Sequence, residues 1–142
     1  MGKMDSVVHF EMPYEDGKRL SEFYSKAFGW QLQTTGPEMG EYIVAHTTET
    51  DPQTRMVKTP GHINGGFYPK KSAPPEPSVV IAVDDIKESM KKVEASGGKI
   101  LGVMDHTGKR TMEPQEIPGI GLWMTFQDTE GNRVSMLQPK GM

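Results

Sequence analysis

At 142 residues, with a net charge of −3 and a pI near 5.8, the chain is one domain's worth of protein and long enough to bury a core; it carries no basic patch of the kind a nucleic-acid binder needs. It has no cysteine, which excludes disulfides, thiolate chemistry and Cys-ligated metal. No apolar run approaches the roughly 18 residues that span a bilayer, and none of signal-peptide type follows the N-terminus, so a cytoplasmic protein without nucleic-acid or membrane partners is expected.

The start, Met1-Gly2-Lys3-Met4-Asp5-Ser6, fits the loose myristoylation pattern. With no other membrane-directed feature, the residues ahead of Met4 are read as an expression remnant. Residues 6 to 13 then alternate: Val8, Phe10 and Met12 point one way, His9 and Glu11 the other. This period predicts a strand whose polar side looks into something wet or onto a ligand. Leu20, Phe23, Tyr24, Ala27 and Phe28 follow at helical spacing, with Glu15 and Asp16 placed for the first turn and Gly29 as the stop. Strands are predicted at 30–35 and 41–48, a polar loop at 49–60, and a fourth strand at 62–68. Its Gly65-Gly66 pair marks a bulge or a close backbone approach. Residues 69–77 hold four prolines and read as a linker.

The plan then repeats. Val79, Ile81 and Val83 alternate with Ser78, Val80 and Ala82; Asp85-x-x-Glu88 resembles a capping box. Ile86, Met90 and Val93 give a helical stripe that Gly97-Gly98 ends. Strands are predicted at 99–105, 110–117, 121–127 and 132–138, with a tight turn at Asp128–Asn132. An offset of 69 positions superposes Asp16 on Asp85, Gly29 on Gly98, Leu32 on Leu101 and His9 on Ser78. The chain is therefore predicted to be a single domain of two modules, one over about 6–68 and the other over about 78–139, joined by the 69–77 linker. Each reads as βαβββ. The expected fold is α+β: a curved eight-stranded mixed sheet around a cleft, with both helices outside and His9 and Glu11 facing the cleft.

In order and spacing, five segments carry a resemblance. They are Val8-His9-Phe10-Glu11-Met12-Pro13 with Phe23–Trp30, Val83-Asp84-Asp85-Ile86, Ala95–Leu101, and Trp123–Val134. Over Val7 to Gln138 the chain resembles the vicinal oxygen chelate superfamily, which includes glyoxalase I, bleomycin-resistance proteins and extradiol dioxygenases. The resemblance implies a small-molecule ligand in the cleft, a homodimer, and in catalytic members one divalent metal held by the first and last strands of each module. Carried over, these positions fall on His9, near Asn64, on Ser78 and on Ser135. Only His9 is a suitable ligand, since Ser and Asn bind Zn, Ni or Fe poorly. The set is incomplete and no tightly held cofactor is expected. A divalent metal (Zn, Ni, Fe or Mn) is the alternative.

His9 suits proton transfer near neutral pH and Glu11 shares its face, so these two are the candidate catalytic pair; lining a cleft without chemistry is the competing reading. Asn64, Ser78, Trp123 and Ser135 are the candidate ligand-pocket residues. His62 shares the parity of Asn64 and reads as a partly exposed residue at a strand start, with replacement of a missing ligand by a two-residue register shift as the alternative, while His46 and His106 read as surface residues. Trp123 and Phe126 lie on opposite faces of one strand, so one enters the core and one faces the ligand; Tyr42 poses the same question. Among eleven methionines, Met104, Met112, Met124 and Met136 are either core or an adaptable pocket wall. The polar segment 103–120 reads as a cover for the cleft or a subunit contact. Two functions are compatible with this pattern: a binding protein that takes a small molecule without the full metal site, or a metal-dependent or His/Glu-dependent lyase, isomerase or dioxygenase-like enzyme.

Overall fold

The computed structural model describes residues 3–54, 56–70, 76–104 and 107–140. His106, the middle of the 69–77 linker, and Met1 and Gly2 of the myristoylation-like start lie outside the described residues. Two compact units are present: His9–Ser78, and Val79 onward together with the N-terminal segment through Val8.

The His9–Ser78 unit holds β1 (Val7–Tyr14), α1 (Gly17–Phe28), β2 (Gln31–Thr34), a single 3-10 turn (Pro37–Met39), β3 (Ile43–His46) and β4 (Asn64–Pro69). Its strand order is β2-β3-β4-β1, antiparallel except for the parallel β1–β4 pair. The amphipathic helix covers one face. Ile43, Ala45 and Phe67 are buried there, and Phe10, Met12, Leu20, Tyr24, Trp30 and Leu32 pack around them. Asp16 lies just before the helix and caps it, its Oδ1 accepting from the Arg19 N–H at 3.0 Å. Gly29 closes the helix in the left-handed region at φ 74°.

The second unit holds β5 (Ser78–Ala82), α2 (Ile86–Ala95), β6 (Lys99–Ile100), β7 (Val103–Met104), β8 (Arg110–Thr111), β9 (Gln115–Ile117), β10 (Gly121–Gln127) and β11 (Arg133–Pro139). Its main sheet runs β5-β11-β10-β6, with β9 on β10 and a separate β7–β8 ribbon. The β5–β11 pair is parallel and the β10 pairs are antiparallel. Val83, Ile86, Ile100, Val103, Met124 and Met136 form the core. The Asp85 carboxylate caps α2 through the Glu88 N–H at 3.2 Å.

The expected class holds: α+β, with two tandem βαβββ modules, each a mixed sheet with its helix on one face. First and last main strands pair in parallel in both. Three details differ from expectation. The predicted strands 99–105 and 110–117 each break in two, the first at Gly102 with φ 90°. The counterpart of Gly29 is Gly97, at φ 100°, rather than Gly98, because α2 ends at Ala95, two residues sooner in register than α1 at Phe28, and the left-handed glycine follows after Ser96. Gly98 answers a different need, since a Cβ there would lie 2.8 Å from Val93 and 2.9 Å from the Gln127 carbonyl. Finally, Met124 and Met136 are core, whereas Met104 and Met112 are 57% and 55% exposed, so the four methionines do not form one pocket wall.

Candidate functional site

Strand parity divides the side chains of the His9–Ser78 unit. Phe10, Met12, Ile43, Ala45 and Phe67 go to the helix side. His9, Glu11, Tyr42, Val44, Asn64, Gly66 and Tyr68 alternate to the other side, because β1 pairs with β4 in the register His9–Asn64, Glu11–Gly66 and Pro13–Tyr68. A polar face of this kind is expected to be wet, yet Glu11 is only 7% exposed and Tyr68 only 8%.

Three of these side chains are joined. The His9 Nε2 lies 3.0 Å from the Tyr42 hydroxyl, and that hydroxyl is also hydrogen-bonded to the Glu11 side chain. Burial pulls the His9 imidazole down to about 4 from its ordinary 6.5, so at neutral pH the ring is uncharged. Burial, first, and then the charge and hydrogen bond of Glu11 push the Tyr42 phenol well above its ordinary value, with Tyr68 adding to the rise. Tyr42 is therefore a phenol, never a phenolate, at any physiological pH.

The backbone holds Tyr42 firmly. Its carbonyl accepts from both the Thr35 N–H, at 3.0 Å, and the Thr35 hydroxyl, at 2.6 Å. Glu41, immediately before it, is the one non-glycine residue with positive φ (59°) among the described residues. The Tyr14 hydroxyl donates to the Glu41 carbonyl at 2.6 Å and pins this strained turn. The Tyr42 ring then lies against the bare Gly66 backbone: a Cβ on Gly66 would come within 1.9 Å of its hydroxyl oxygen. On the helix side Gly65 is approached in the same way by the Phe10 ring, at 2.3 Å. The glycine pair thus marks two close approaches, one on each face.

The other sequence-derived candidates fall elsewhere. The Asn64 carboxamide is committed to a loop: Oδ1 accepts from the Thr47 and Thr48 N–H groups at 2.8 and 3.3 Å, and Nδ2 donates to the Thr50 hydroxyl at 2.9 Å. His62 precedes β4 rather than lying on it. It is exposed, with Nδ1 2.9 Å from the Thr48 hydroxyl, so it does not substitute for a missing ligand. His46 is half-buried at the end of β3 rather than a surface residue. Ser78 opens β5 with its Oγ buried and unpartnered. Ser135 is fully buried in β11, opposite Val80 of β5, with its Oγ 3.5 Å from that of Thr125. By parity Trp123 shares the face of Thr125 and Ser135, opposite to Met124 and Phe126, while its ring still packs against the edge of the Val83–Ile86–Met124 core. Trp123, then, is the aromatic on the face away from the helix.

A separate groove of about 470 Å³ runs between α1 and the β2 edge, lined by Tyr14, Lys18, Ser21, Glu22, Thr34 and Glu41 among others. None of His9, Glu11 or Tyr42 reaches it, and its charged side chains stand on the rim.

Sequence and structure comparisons agree on the class. The Glyoxalase/Bleomycin resistance protein/Dioxygenase superfamily matches residues 6–136, and the chain belongs to that superfamily. No curated protein matches it by sequence. The hypothetical protein BH1468 from Bacillus halodurans is similar in structure, with 15% identity, a TM-score of 0.65, and 99% of this chain and 98% of that chain covered. A methylmalonyl-CoA epimerase in complex with methylmalonyl-CoA and ammonium has 13% identity and a TM-score of 0.65 over 98% of this chain and 97% of the other. A variant of the Streptomyces coelicolor methylmalonyl-CoA epimerase, in complex with 2-nitronate-propionyl-CoA, has 13% identity and a TM-score of 0.67 over 99% and 98%. At such identities the likeness establishes the fold alone.

Members of this superfamily often use a divalent metal, and the donor set here does not fit one. Register corrects the position carried over to Asn64: Val80 opposes Ser135 in one unit as Glu11 opposes Gly66 in the other. The counterpart of Ser135 is therefore Gly66, not Asn64, and glycine has no side-chain donor. Ser78 and Ser135 supply neutral hydroxyls, which hold Zn, Ni or Fe poorly. Among the described residues no three His, Cys, Asp or Glu side chains converge as a metal centre requires. The Tyr42 ring packs against Gly66 in place of a side chain there.

Sequence reasoning placed His9 and Glu11 on one strand face, as the register has them, but left Tyr42 undecided between core and ligand face. The signal was the glycine pair, which announced a close approach without naming what approached.

Proposed function

We propose that this protein binds a small molecule against the His9–Tyr42–Glu11 face, without the full metal set of its superfamily. One observation carries the reading: an uncharged imidazole, a phenol and a carboxyl side chain are joined in a half-buried face held by β1, β3 and β4. A hydrogen-bonded group of this kind, flanked by the Tyr42 and Tyr68 rings, provides the few placed polar atoms and the apolar walls typical of ligand sites. The structural relatives that hold CoA esters support a small organic ligand as the occupant. Ser78 remains a proposed contributor to the ligand surface, Trp123 and Ser135 are proposed ligand contacts on the corresponding face of the second unit, and a homodimer is the proposed assembly. No described helix is long and apolar enough to cross a membrane; a cytoplasmic location is proposed separately, from the absence of cysteine.

A second reading is favoured by the same hydrogen-bonded group: His9 and Glu11 serve as proton-transfer residues of a lyase- or isomerase-type reaction. The experiment that tests the first reading is a fragment screen by NMR, combined with metal analysis of protein purified without chelators. Chemical-shift changes should cluster on His9, Tyr42 and Tyr68, with metal well below one equivalent. One equivalent of metal, lost in His9→Ala, would overturn the metal-poor site. Fragments gathering in the groove beside Ser21 instead would overturn its location.

A further inference from the structure

Strand β2 ends its sheet: among the described residues it pairs with β3 alone. Its register with β3 decides which peptide groups are left over. The Thr35 N–H donates to the Tyr42 carbonyl at 3.0 Å, so these two residues form a hydrogen-bonded pair. By alternation Gln33–Val44 and Gln31–His46 are hydrogen-bonded pairs as well. The N–H and C=O groups of Leu32 and Thr34 therefore point away from β3, to the open edge. The helix α1 leaves that edge uncovered, since the groove of about 470 Å³ lies between the two, with Leu32 and Thr34 in its lining. Sheet edges are ordinarily blunted by charge, proline or a bulge. Gln31–Thr34 carries none of these, and only its shortness, four residues, limits what it can pair with.

We propose that β2 pairs antiparallel with β2 of a second copy of this chain, about a two-fold axis at Gln33. The strand is self-complementary in this arrangement. Leu32 meets Thr34 of the second copy and Thr34 meets its Leu32, and each pair exchanges both N–H···O bonds, four in all. On the helix side Leu32, which packs on the core, is then covered at the groove mouth. On the other side the two Gln33 carboxamides, each both donor and acceptor, face one another. The axis also reverses α1, which sets the Lys18 end of one helix toward the Glu22 end of the other. Among the described residues neither of these side chains has an ion pair within the chain. A second copy is the occupant that brings the same spacing of free peptide groups in the reversed order. This names a surface for the proposed homodimer and draws nothing from the His9 face.

The chain has no cysteine, so a single thiol reports the register. Gln33→Cys falls on the axis, in a non-hydrogen-bonded pair whose Cα atoms stand about 4.5 Å apart, within disulfide reach. Gln31→Cys, on an equally exposed residue, falls opposite Thr35 of the second copy and about 14 Å from its own image. Mild oxidation should link Gln33→Cys into dimers about tenfold faster than Gln31→Cys. In the wild type, sedimentation velocity should show a dimer that grows with concentration. Exchange of the Leu32 and Thr34 amides should slow about tenfold from dilute to concentrated protein, with the Gln31 and Gln33 amides, already bonded to β3, changing less. A monomer at every concentration would overturn both the pairing and the proposed homodimer. A dimer whose Leu32 and Thr34 amides stay unprotected, and in which the two thiols link equally slowly, would overturn the pairing and keep the homodimer. Protection of these amides that does not vary with concentration would show an edge covered from within the chain, and would overturn the pairing too.

Discussion

The hydroxyl oxygen of Tyr42 lies within 1.9 Å of where a Cβ on Gly66 would be. Gly66 is also the register counterpart of Ser135 and faces Glu11 across the β1–β4 pair. One missing side chain thus does two things: it removes a donor from the superfamily's metal position, and it admits the phenol that joins His9 to Glu11.

Gly66→Ala should therefore be costly. An ordinary Cβ cannot sit 1.9 Å from an oxygen, so the Tyr42 ring must leave and break its bonds to His9 and Glu11. Overpacking of this kind costs about 1–3 kcal/mol. The check is a double-mutant cycle by urea unfolding: in a Tyr42→Ala background the same Gly66→Ala change should cost much less, with a coupling above about 1 kcal/mol. Additive effects would place the strain elsewhere.

How much of this was legible beforehand depends on how local each feature is. The alternation of β1 sends Phe10 into the core and His9 and Glu11 to the opposite side, and this follows from period two alone. The Asp16 and Asp85 caps follow from their place ahead of amphipathic stripes. The meeting of His9 with Tyr42 spans 33 positions and depends on the registers of β3 on β4 and β4 on β1, which a one-residue slip would invert. The same register moved the metal position from Asn64 to Gly66. The methionines divided between core and solvent because β10 and β11 are central strands, whereas Met104 belongs to a short two-stranded ribbon and Met112 follows it.

The low pKa of His9 makes stability depend on pH. Its folded value of about 4 lies below the ordinary 6.5, so between these limits the unfolded chain binds a proton that the folded chain refuses. Stability from this residue is complete above about pH 6.5 and falls as pH drops toward 4, by up to about 3 kcal/mol. Thermal unfolding of the wild type and His9→Gln from pH 7 to 4.5 measures it. The wild type should lose more over this range, and parallel curves would show that the imidazole is not buried as described.

Glu41 pays for the placement of Tyr42 with a left-handed backbone at φ 59°. A non-glycine residue in this region costs about 1 kcal/mol, which glycine does not. Glu41→Gly should accordingly raise the melting temperature by about 2–4 °C while the Tyr14 hydroxyl still meets the residue-41 carbonyl. Substituting alanine at the neighbouring Gly40, at φ 67°, should act in the opposite direction. Calorimetry of the two variants gives both signs, and a destabilised Glu41→Gly would mean that the Glu41 side chain itself holds the turn.

Asn64 provides the sharpest separation between a ligand residue and a structural one. Its carboxamide takes two backbone N–H groups and gives one bond to Thr50, all within the loop that follows β3. Asn64→Ala leaves the Thr47 and Thr48 N–H groups without acceptors, and each unsatisfied donor costs about 1–3 kcal/mol where water cannot reach it. Amide exchange at Thr47 and Thr48 should quicken by tenfold or more, with the His9 ring signals unmoved. Asn64→Asp retains an acceptor for both amides, and the Thr50 hydroxyl can turn to donate, so it should restore most of the protection. If the alanine variant instead leaves both amides protected and shifts the His9 resonances, Asn64 belongs with the ligand face rather than with the loop.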